Sequence, residues 1–316
     1  KFTTIINGKE VEYKLKDKKV YEDTRYYFLQ KKARFVAGYA LHFRSTALGR
    51  LVFTKREMED VEKTLYFRFV ESPAIACLLY NYGQLCKKLS KTKTNLFYEK
   101  FCSKAEEGTF ELFEMCRDKN TSNNYYIIDK TSDDYERIKG CRNVVPRYSL
   151  KYYKLIYSAS AFISTEVPSG HIGPMRSNNK YIRKAIYKAD FFFLQHGIIY
   201  MKNLGVNSAF CKGRTGQSSN MVVSSKKERD VCCEMLGYDK NHFVITGIPA
   251  YGLIERNHLN QESEDYAVVM LTWKPYEEQI TDITKSSYYE NVQEIVEILK
   301  RHIESEKIIV LGHPKI

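Results

Sequence analysis

Short apolar segments that end in a polar or titratable side chain recur along this sequence, and they constrain its fold more than any other feature. The clearest is the segment Phe-Phe-Phe-Leu-Gln-His-Gly at residues 191–197, where an apolar run of strand length stops at His196 and a glycine. A buried parallel strand presents a reactive side chain at its carboxyl end in this way. The sequence therefore predicts a parallel sheet with His196 at one edge.

Helical patterns separate further strand-like segments along the middle of the chain. Residues 74–89 have apolar residues at helical spacing and end in Lys87 and Lys88, and cations suit the carboxyl end of a helix. Short strands that alternate with helices are typical of a parallel sheet of Rossmann type. The predicted strands are residues 65–70, 125–129, 144–147, 161–164, 189–194, 221–225 and 243–249, and the other predicted helices are residues 110–117, 149–158, 183–188 and 226–236.

The length of the chain, 316 residues, exceeds the usual size of one hydrophobic core, so more than one domain is expected. Residues 1–60 are predicted to form a small β extension with a hairpin at Asn7-Gly8, a dipeptide that suits a type I′ turn. A polar linker at residues 257–265 separates residues 61–258, a Rossmann-like domain, from residues 259–316, the start of a second one. That second domain is predicted to have strands at residues 268–275 and 308–314 around a helix at residues 289–303.

Excess positive charge indicates polyanionic partners. The chain has 50 Lys and Arg against 38 Asp and Glu, a formal net charge of +12. Such a balance favours nucleic acid, an anionic membrane surface or a phosphate-bearing substrate, and charge alone does not choose among them. Basic and aromatic residues are interleaved between positions 14 and 35. This segment either rests on anionic headgroups or is a solvated basic face.

Cysteine usage and hydropathy bear on where the protein works. The eight cysteines show neither CxxC pairs nor zinc-type spacing with histidine, which indicates reduced thiols and a cytoplasmic protein. The sequence has no signal-peptide pattern, and no uninterrupted apolar run reaches about 18 residues, the scale of a membrane span. Any membrane association is therefore expected to be peripheral.

Polar side chains follow five of the predicted strands. The pairs are His196-Gly197, Ser224-Ser225, Thr246-Gly247, Thr272-Trp273 and His313-Pro314. In an open parallel sheet the carboxyl ends of the strands face one crevice, and ligands bind there. The sequence therefore predicts an active site made from strand ends, between the sheets of two domains.

These motifs resemble, in order and spacing, the CDP-glycerol:poly(glycerophosphate) glycerophosphotransferase family, which contains the teichoic-acid and capsule polyol-phosphate polymerases. The similarity covers roughly residues 64–316, and it includes Lys202 after the first pair and Glu228 after the second. It implies an α/β, GT-B-like fold with two Rossmann-type domains whose parallel sheets face a cleft. The family's second domain continues past the His-Pro motif, so the second domain is expected to be incomplete in this chain.

The resemblance also implies a reaction. A glycerol- or ribitol-phosphate unit passes from a CDP-activated donor to the hydroxyl end of a growing teichoic-acid or capsule polymer, and CMP is released. His196 would be the base on the acceptor hydroxyl, since imidazole titrates near neutral pH, and His313 would face the donor diphosphate. The candidates for binding substrate phosphate are Lys202, Arg214, Ser225 and Thr272.

The expected partners follow from that reaction. They are a CDP-polyol donor, an anionic, lipid-linked polymer acceptor, and the inner face of the cell membrane, to which a cytoplasmic protein attaches peripherally. No nucleic-acid partner is expected, and a homo-oligomer is compatible with the sequence. No cofactor is required: Mg²⁺ is compatible but has no motif, and the lack of a DxD motif disfavours a GT-A sugar transferase.

The residues leave two alternatives open. A nucleotide-sugar GT-B enzyme, either a glycosyltransferase or an epimerase, has a similar sheet with histidines at strand ends. A non-catalytic module that docks on polyanions or membranes also fits the charge. The sequence does not decide between glycerol and ribitol, primase and polymerase, or teichoic acid and capsule. The other histidines, His42, His171, His242, His258 and His302, are interpreted as surface or capping residues, and His171 has the strongest context because its loop precedes a basic helix.

Overall fold

The computed structural model describes ten segments of the chain, and all structural statements below concern them. They are residues 3–7, 9–12, 34–45, 51–119, 122–173, 179–199, 210–213, 216–258, 265–272 and 282–312. The chain divides into two compact units, Lys1–Glu255 and Arg256–Ile316, and each is described by itself. The predicted domain boundaries remain predictions.

The first unit begins with small antiparallel sheets. Its strands are β1 (Thr3–Ile6), β2 (Lys9–Glu12), β3 (Arg34–Val36), β4 (Tyr39–Ser45) and β5 (Leu51–Glu57). β1 and β2 form the predicted hairpin, with Ile6 opposite Lys9 and Asn7 at φ 52° in the turn, so this prediction is confirmed. β3, β4 and β5 form a three-stranded sheet that the sequence patterns did not predict. Most of the basic and aromatic segment between positions 14 and 35 lies outside the described residues.

The main body of the first unit alternates helices and strands. Its elements are α1 (Asp60–Lys63), α2 (Leu65–Val70), α3 (Pro73–Leu89), β6 (Lys93–Tyr98), α4 (Thr109–Arg117), β7 (Ser122–Ile128), α5 (Tyr135–Ile138), β8 (Val144–Pro146), α6 (Leu150–Ser158), β9 (Ala161–Ser164), α7 (Pro168–His171), α8 (Lys180–Lys188), β10 (Asp190–Phe193), β11 (Asn220–Val223), α9 (Lys226–Leu236), β12 (Phe243–Ile245) and α10 (Pro249–His258).

Seven of these strands form one parallel sheet in the order β12-β11-β10-β9-β6-β7-β8. The predicted α/β class with a Rossmann-type sheet is confirmed. The chain builds β6, β7 and β8 outward in one direction, then returns to the other side of β6 with β9 and continues outward through β12. The order therefore reverses between β6 and β9. Ligands of open α/β sheets bind at the carboxyl ends of strands at such a reversal.

Helices cover both faces of this sheet. Side chains alternate along β6, so Leu96 and Tyr98 belong to one buried cluster and Phe97 to the other. The first cluster includes residues of α3, α6 and α8, and the second includes Phe110 and Phe113 of α4. Burial on both faces explains why the strands read as nearly continuous apolar runs.

Buried tyrosines join this core to the loops at the carboxyl edge of the sheet. Tyr98 donates its hydroxyl to the Glu166 carbonyl oxygen at 2.7 Å, and Tyr152 donates to the Ile172 carbonyl oxygen at 2.7 Å. Both rings are fully buried, yet both hydroxyls are paired, as burial requires. These two tyrosines thus help to fix the loop that follows β9.

One predicted strand is wrong. Residues 65–70 form the helix α2, which begins at Thr64, whose hydroxyl accepts the Phe67 backbone N–H at 3.1 Å. Phe67 and Val70 are buried three residues apart, and Leu65 and Phe69 are exposed. A strand would have buried alternate residues, so the capping threonine and the spacing of the buried pair favour a helix. The loop predicted at residues 170–179 also begins inside α7.

The second unit contains a short parallel pair, β13 (Ala267–Val269) and β14 (Ile308–Val310), and the helix α11 (Ser287–Leu299). The hydroxyl of Ser286 accepts the Tyr289 backbone N–H at the start of α11, and Tyr288 is buried. These are the two strands and the helix that the sequence predicts there, although β13 and α11 begin one and two residues earlier than predicted. In the described residues of both units, no helix combines the length and apolar character needed to cross a bilayer.

Candidate active site

The end of β10 turns His196 out of the sheet. Gln195 has φ 61°, a left-handed conformation that is unusual for a residue other than glycine, and its side-chain Nε2 donates to the Val222 carbonyl oxygen at 2.5 Å. That bond ties the turn to the neighbouring strand β11. Strained backbone of this kind is often found at functional sites. The side chain of His196 is 52% exposed, so a substrate group can reach it.

The hydrogen bond of His196 decides which of its ring nitrogens is free. Nδ1 lies 3.0 Å from the Thr165 carbonyl oxygen, which follows β9. A carbonyl oxygen only accepts, so Nδ1 must carry a proton, and Nε2 of the neutral ring keeps its lone pair. The fold therefore presents His196 in the tautomer that a general base needs.

Glu166 lies between two histidines. Its Oε1 is 3.8 Å from Nδ1 of His196, and its Oε2 is 3.7 Å from Nε2 of His171. Burial raises the pKa of the Glu166 carboxyl above its ordinary value, and the charge of a protonated His196 acts in the opposite direction. This carboxylate is placed to stabilise positive charge on His196.

His171 is held in its neutral form. Burial lowers its pKa to about 4, and the positive charges of Arg147 and Lys100 act in the same direction. Its Nδ1 accepts the Phe101 backbone N–H at 3.4 Å, and the Phe101 ring stacks on it at 4.4 Å. Nε2 therefore carries the proton, and it lies 3.7 Å from Glu166 Oε2.

The loop after β6 supports the same group of residues. Glu99 is fully buried and accepts four backbone N–H groups at the start of α4, including Glu106 N at 2.8 Å and Thr109 N at 3.0 Å. Burial raises the pKa of Glu99 to about 7, although these N–H groups oppose the shift. The loop that Glu99 shapes carries Glu107, whose Oε2 accepts the Thr165 hydroxyl at 2.7 Å.

Glu228 fixes the chain on the other side of His196. Its buried carboxylate accepts the backbone N–H of Ile199 at 3.0 Å, and also the N–H and hydroxyl of Ser224 at 2.6 and 2.7 Å. The hydroxyl of Ser225 accepts the Glu228 backbone N–H at 3.1 Å and so caps α9. Hydrogen bonds to Glu228 thus connect the segments that follow β10 and β11.

One family of known proteins matches most of the chain. Residues 81–316 match the family CDP-Glycerol:Poly(glycerophosphate) glycerophosphotransferase. The chain belongs to this family.

Curated and solved relatives extend the comparison. The minor teichoic acid biosynthesis protein GgaB of Bacillus subtilis (strain 168) is 28% identical over 232 residues, which are 67% of this chain and 25% of GgaB. Structures of the wall teichoic acid polymerase TagF align at 15% identity with a TM-score of 0.44; the alignment with one histidine variant covers 79% of this chain and 65% of that one. A TagF variant soaked with CDPG gives the same score and identity. The chain thus spans a quarter of GgaB and 65% of that TagF variant.

The site residues expected from the family's motifs are described to different extents. His196 and Ser225 lie in the first unit at neighbouring strand ends, and Thr272 is exposed after β13 in the second unit. Lys202, Arg214 and His313 lie outside the described residues, so their roles remain predictions. In the described segments, no group of three or more His, Cys, Asp or Glu side chains could hold a metal ion.

The motifs did not point to Glu166. It follows β9 by two residues, as His196 follows β10 by three, so the strand-end argument applies to it equally. His171 stood out only as the exception among the remaining histidines. Its stacking on Phe101 and its approach to Glu166 depend on loops from different strands, which no local pattern reveals.

Proposed function

We propose that this protein transfers a polyol-phosphate unit from a CDP-activated donor to the hydroxyl end of a teichoic-acid-type polymer and releases CMP. Family membership over residues 81–316 and the similarity to GgaB support this activity. The observation that carries it is the hydrogen bond from His196 Nδ1 to the Thr165 carbonyl oxygen, which leaves an exposed Nε2 free to accept a proton.

The reaction begins when the acceptor hydroxyl donates a hydrogen bond to Nε2 of His196. Nε2 takes the proton as the hydroxyl oxygen attacks the phosphorus that bears the polyol, and the bond from that phosphorus to the bridging oxygen of CMP breaks. CMP leaves with the bonding electrons as a phosphate oxyanion. General-base help of this kind contributes about 10²–10⁴-fold to a rate. Glu166 stabilises the resulting imidazolium through the Nδ1 side of the ring.

The leaving group needs positive charge and hydrogen bonds of its own. We assign this role to His313, Lys202 and Arg214, with the hydroxyls of Thr272 and Ser225 as donors to phosphate. The assignment rests on the positions of these residues in the family's motifs. Residues 259–316 would then begin the part of the enzyme that binds the CDP donor.

Replacement of His196 tests the base assignment. His196→Ala in the full-length protein should lower CMP release by about 10²–10⁴-fold with both CDP-glycerol and CDP-ribitol. His302→Ala is a matched control, because His302 is exposed in a turn after α11. CMP release near the wild-type rate in His196→Ala with either donor would contradict the role of His196 as the base.

We further propose that the protein works at the cytoplasmic face of the cell membrane. The α3 face, which consists of Leu78, Tyr82, Leu85 and Leu89, is an exposed apolar stripe on one side of a 17-residue helix. The positions follow helical spacing, so the four side chains point in one direction. An apolar stripe on a surface helix fits the boundary between headgroups and acyl chains.

A lysine lies beside the α3 face. Lys154 Nζ lies 5.8 Å from the centre of the Tyr82 ring. Such a lysine can reach headgroup phosphates while its aliphatic stem stays on the aromatic ring. The combination favours an anionic bilayer as the surface that covers the α3 face.

A further inference from the structure

A separate cleft opens at the carboxyl ends of β7 and β8. Its volume is about 500 Å³, and its lining includes Phe101, Asp129, Thr131, Arg147 and Tyr148; we call it the Arg147 cleft. Asp129 and Arg147 directly follow β7 and β8, so the topology that delivers His196 also delivers these two side chains. The reaction proposed above uses none of the five.

The buried guanidinium of Arg147 is incompletely paired. Its side chain is 5% exposed, Nε donates to the Ile172 carbonyl oxygen at 3.1 Å, and Nη1 lies 3.5 Å from Asp129 Oδ2 and 3.6 Å from Glu59 Oε2. Nη2 is buried and has no partner among the described residues. Buried donors are nearly always paired, so a guanidinium with a spare N–H₂ beside a cleft suggests a ligand oxygen there.

The walls of the Arg147 cleft combine aromatic rings with carboxylates. Phe101 and Tyr148 have φ 53° and 63°, and the Tyr148 ring lies 4.6 Å from the Arg147 guanidinium. The Tyr148 hydroxyl donates to Glu59 Oε2 at 2.8 Å. Left-handed backbone at two bulky residues is costly, and such strain gathers at functional sites.

The chemistry of the lining suits a ligand that is rich in hydroxyl groups. Carboxylates such as Asp129 accept hydrogen bonds from ligand hydroxyls, Arg147 donates to ligand oxygens, and aromatic rings pack against C–H faces. The Thr131 hydroxyl donates to Asp129 Oδ1 at 2.9 Å, so its oxygen can accept a hydrogen bond from a ligand hydroxyl.

Charge argues against a phosphate in the cleft itself. The charged lining residues are Glu59, Asp60, Asp129, Lys130 and Arg147, three acids against two bases. This balance disfavours an anion and favours an uncharged group.

The position of the cleft relates it to the acceptor. Phe101 lines the cleft and stacks on His171, which in turn faces Glu166. Three to four strand positions separate β10 from β7 and β8, so at about 4.8 Å per strand the cleft lies roughly 15–20 Å from His196. We propose that the Arg147 cleft binds an uncharged, hydroxyl-rich sugar or polyol unit of the acceptor, further along the polymer than the reacting hydroxyl. This inference rests on the proposed function.

Binding of synthetic acceptors tests the proposal. Calorimetry would compare a single-unit and a multi-unit glycerol-phosphate oligomer, each with and without hexose substituents, on the full-length protein. The wild type should bind a multi-unit oligomer about tenfold more tightly than the single unit. The variant Thr131→Trp should abolish this advantage, because Thr131 is exposed on the rim and an indole would fill the cleft. The hexose arms show whether the sugar or the polyol supplies the contact.

Two matched variants should keep the advantage. Lys139→Trp adds the same bulk on an exposed residue just after α5, and His196→Ala removes the base but leaves the cleft intact. Preference for multi-unit oligomers that survives in Thr131→Trp would overturn the inference, as would a wild type without any such preference. If Thr131→Trp does not fold, amide hydrogen exchange of the wild type, measured with and without the oligomers, tests the inference instead. Slower exchange at residues 129–131 with the multi-unit oligomer supports the cleft, and unchanged exchange overturns it.

The same samples separate this inference from the proposed function. If CMP release depends on His196 but binding shows no length preference, the proposed transferase activity is supported and the inference about the cleft is overturned. If Thr131→Trp abolishes a length preference but the wild type releases no CMP, the cleft is supported as a polymer-binding site and the proposed transferase activity is overturned.

Discussion

In the proposed reaction, the negative charge of Glu166 would matter most when His196 holds the proton of the acceptor hydroxyl. The imidazolium would then have Nδ1 3.8 Å from Glu166 Oε1, where a charge pair near a protein surface gains up to about 4 kcal/mol before solvent screening. Half of the His196 side chain is exposed, so a smaller gain is expected. We predict that Glu166→Gln lowers kcat about tenfold and leaves the donor KM unchanged, as measured by steady-state CMP release.

Conservative replacements show whether the loss of kcat in Glu166→Gln comes from the lost charge or from a changed side-chain shape. Glu166→Asp should recover part of the lost kcat, because it retains a carboxylate on a shorter side chain. Glu136→Gln, at an exposed position in α5, is the control for removing one surface charge and should behave as the wild type. An unchanged kcat in Glu166→Gln, or the same loss in both Gln variants, would contradict the role given to Glu166.

The partly buried imidazole of His171 should make stability depend on pH. Its pKa is about 4 in the folded protein against 6.5 for a free side chain. Between these values the unfolded chain binds a proton that the folded chain does not, so the stabilisation is lost as pH falls from 6.5 toward 4. The full shift corresponds to about 3 kcal/mol in the free energy of unfolding.

Comparison with His171→Asn isolates this contribution. Glu99 acts with the opposite sign, because its pKa is about 7 when folded against 4.5 when free, so its stabilisation is lost as pH rises between these values. Urea unfolding of wild type and variant across pH 4 to 6.5 cancels the Glu99 contribution. The wild type should gain stability relative to His171→Asn as pH rises, and a constant difference would be evidence against a neutral, buried His171.

Sequence patterns predicted the positions of individual residues better than their contacts. The position of His196 after a strand could be predicted because an apolar run stops just before it, and that of Ser225 because it lies between a strand and a helix. The approach of Glu166 to His171 and His196 is set by β9 and β10 lying side by side and by the turn at Gln195. Such distances are tertiary, and no spacing in the sequence encodes them.

At the scale of elements, α3 packs against α6 through a glycine. A Cβ at Gly83 would lie 2.4 Å from Tyr157 Cβ and 2.9 Å from its backbone carbonyl carbon. Alanine gains about 1 kcal/mol over glycine in helix propensity, but overpacking against backbone costs about 1–3 kcal/mol or more. We predict that Gly83→Ala lowers the free energy of unfolding by about 1–2 kcal/mol in urea denaturation.

The control for this prediction is Gly140→Ala. A Cβ at Gly140 would meet no atom of the described residues within 4 Å, so this variant should match or slightly exceed the wild type in stability. A Gly83→Ala protein as stable as Gly140→Ala would mean that α3 and α6 do not approach as closely as described.

The order of elements was largely predictable, and the failures have physical causes. Long amphipathic segments such as α3 and buried runs such as β10 carry clear periodicity. Residues 65–70 are too short for periodicity to separate a helix from a strand, and a capping threonine decided the outcome. The sheet β3-β4-β5 went unpredicted because antiparallel strands with mixed side chains depend on pairing with one another.

At the scale of the molecule, the net charge of +12 and the α3 face suit attraction to an anionic bilayer followed by shallow insertion. The proposed polymer acceptor would itself be anionic, so the same charge would hold protein and acceptor at one surface. The α3 face belongs to the helices on one side of the sheet, and α4 covers the other side. A variant on α4 can therefore serve as a control for variants of the α3 face.

We predict that the full-length protein sediments with phosphatidylglycerol vesicles, that high salt weakens this binding, and that neutral phosphatidylcholine vesicles bind it poorly. The double variant Leu78→Ser and Leu85→Ser should weaken binding at least about tenfold, because each fully buried leucine contributes about 1.5–3 kcal/mol and partial burial of two exceeds the 1.4 kcal/mol that tenfold requires. Met115→Ser, an exposed apolar residue on α4, should bind as the wild type does. Equal binding of the double variant and Met115→Ser would mean that charge alone, and not the α3 face, holds the protein at the bilayer.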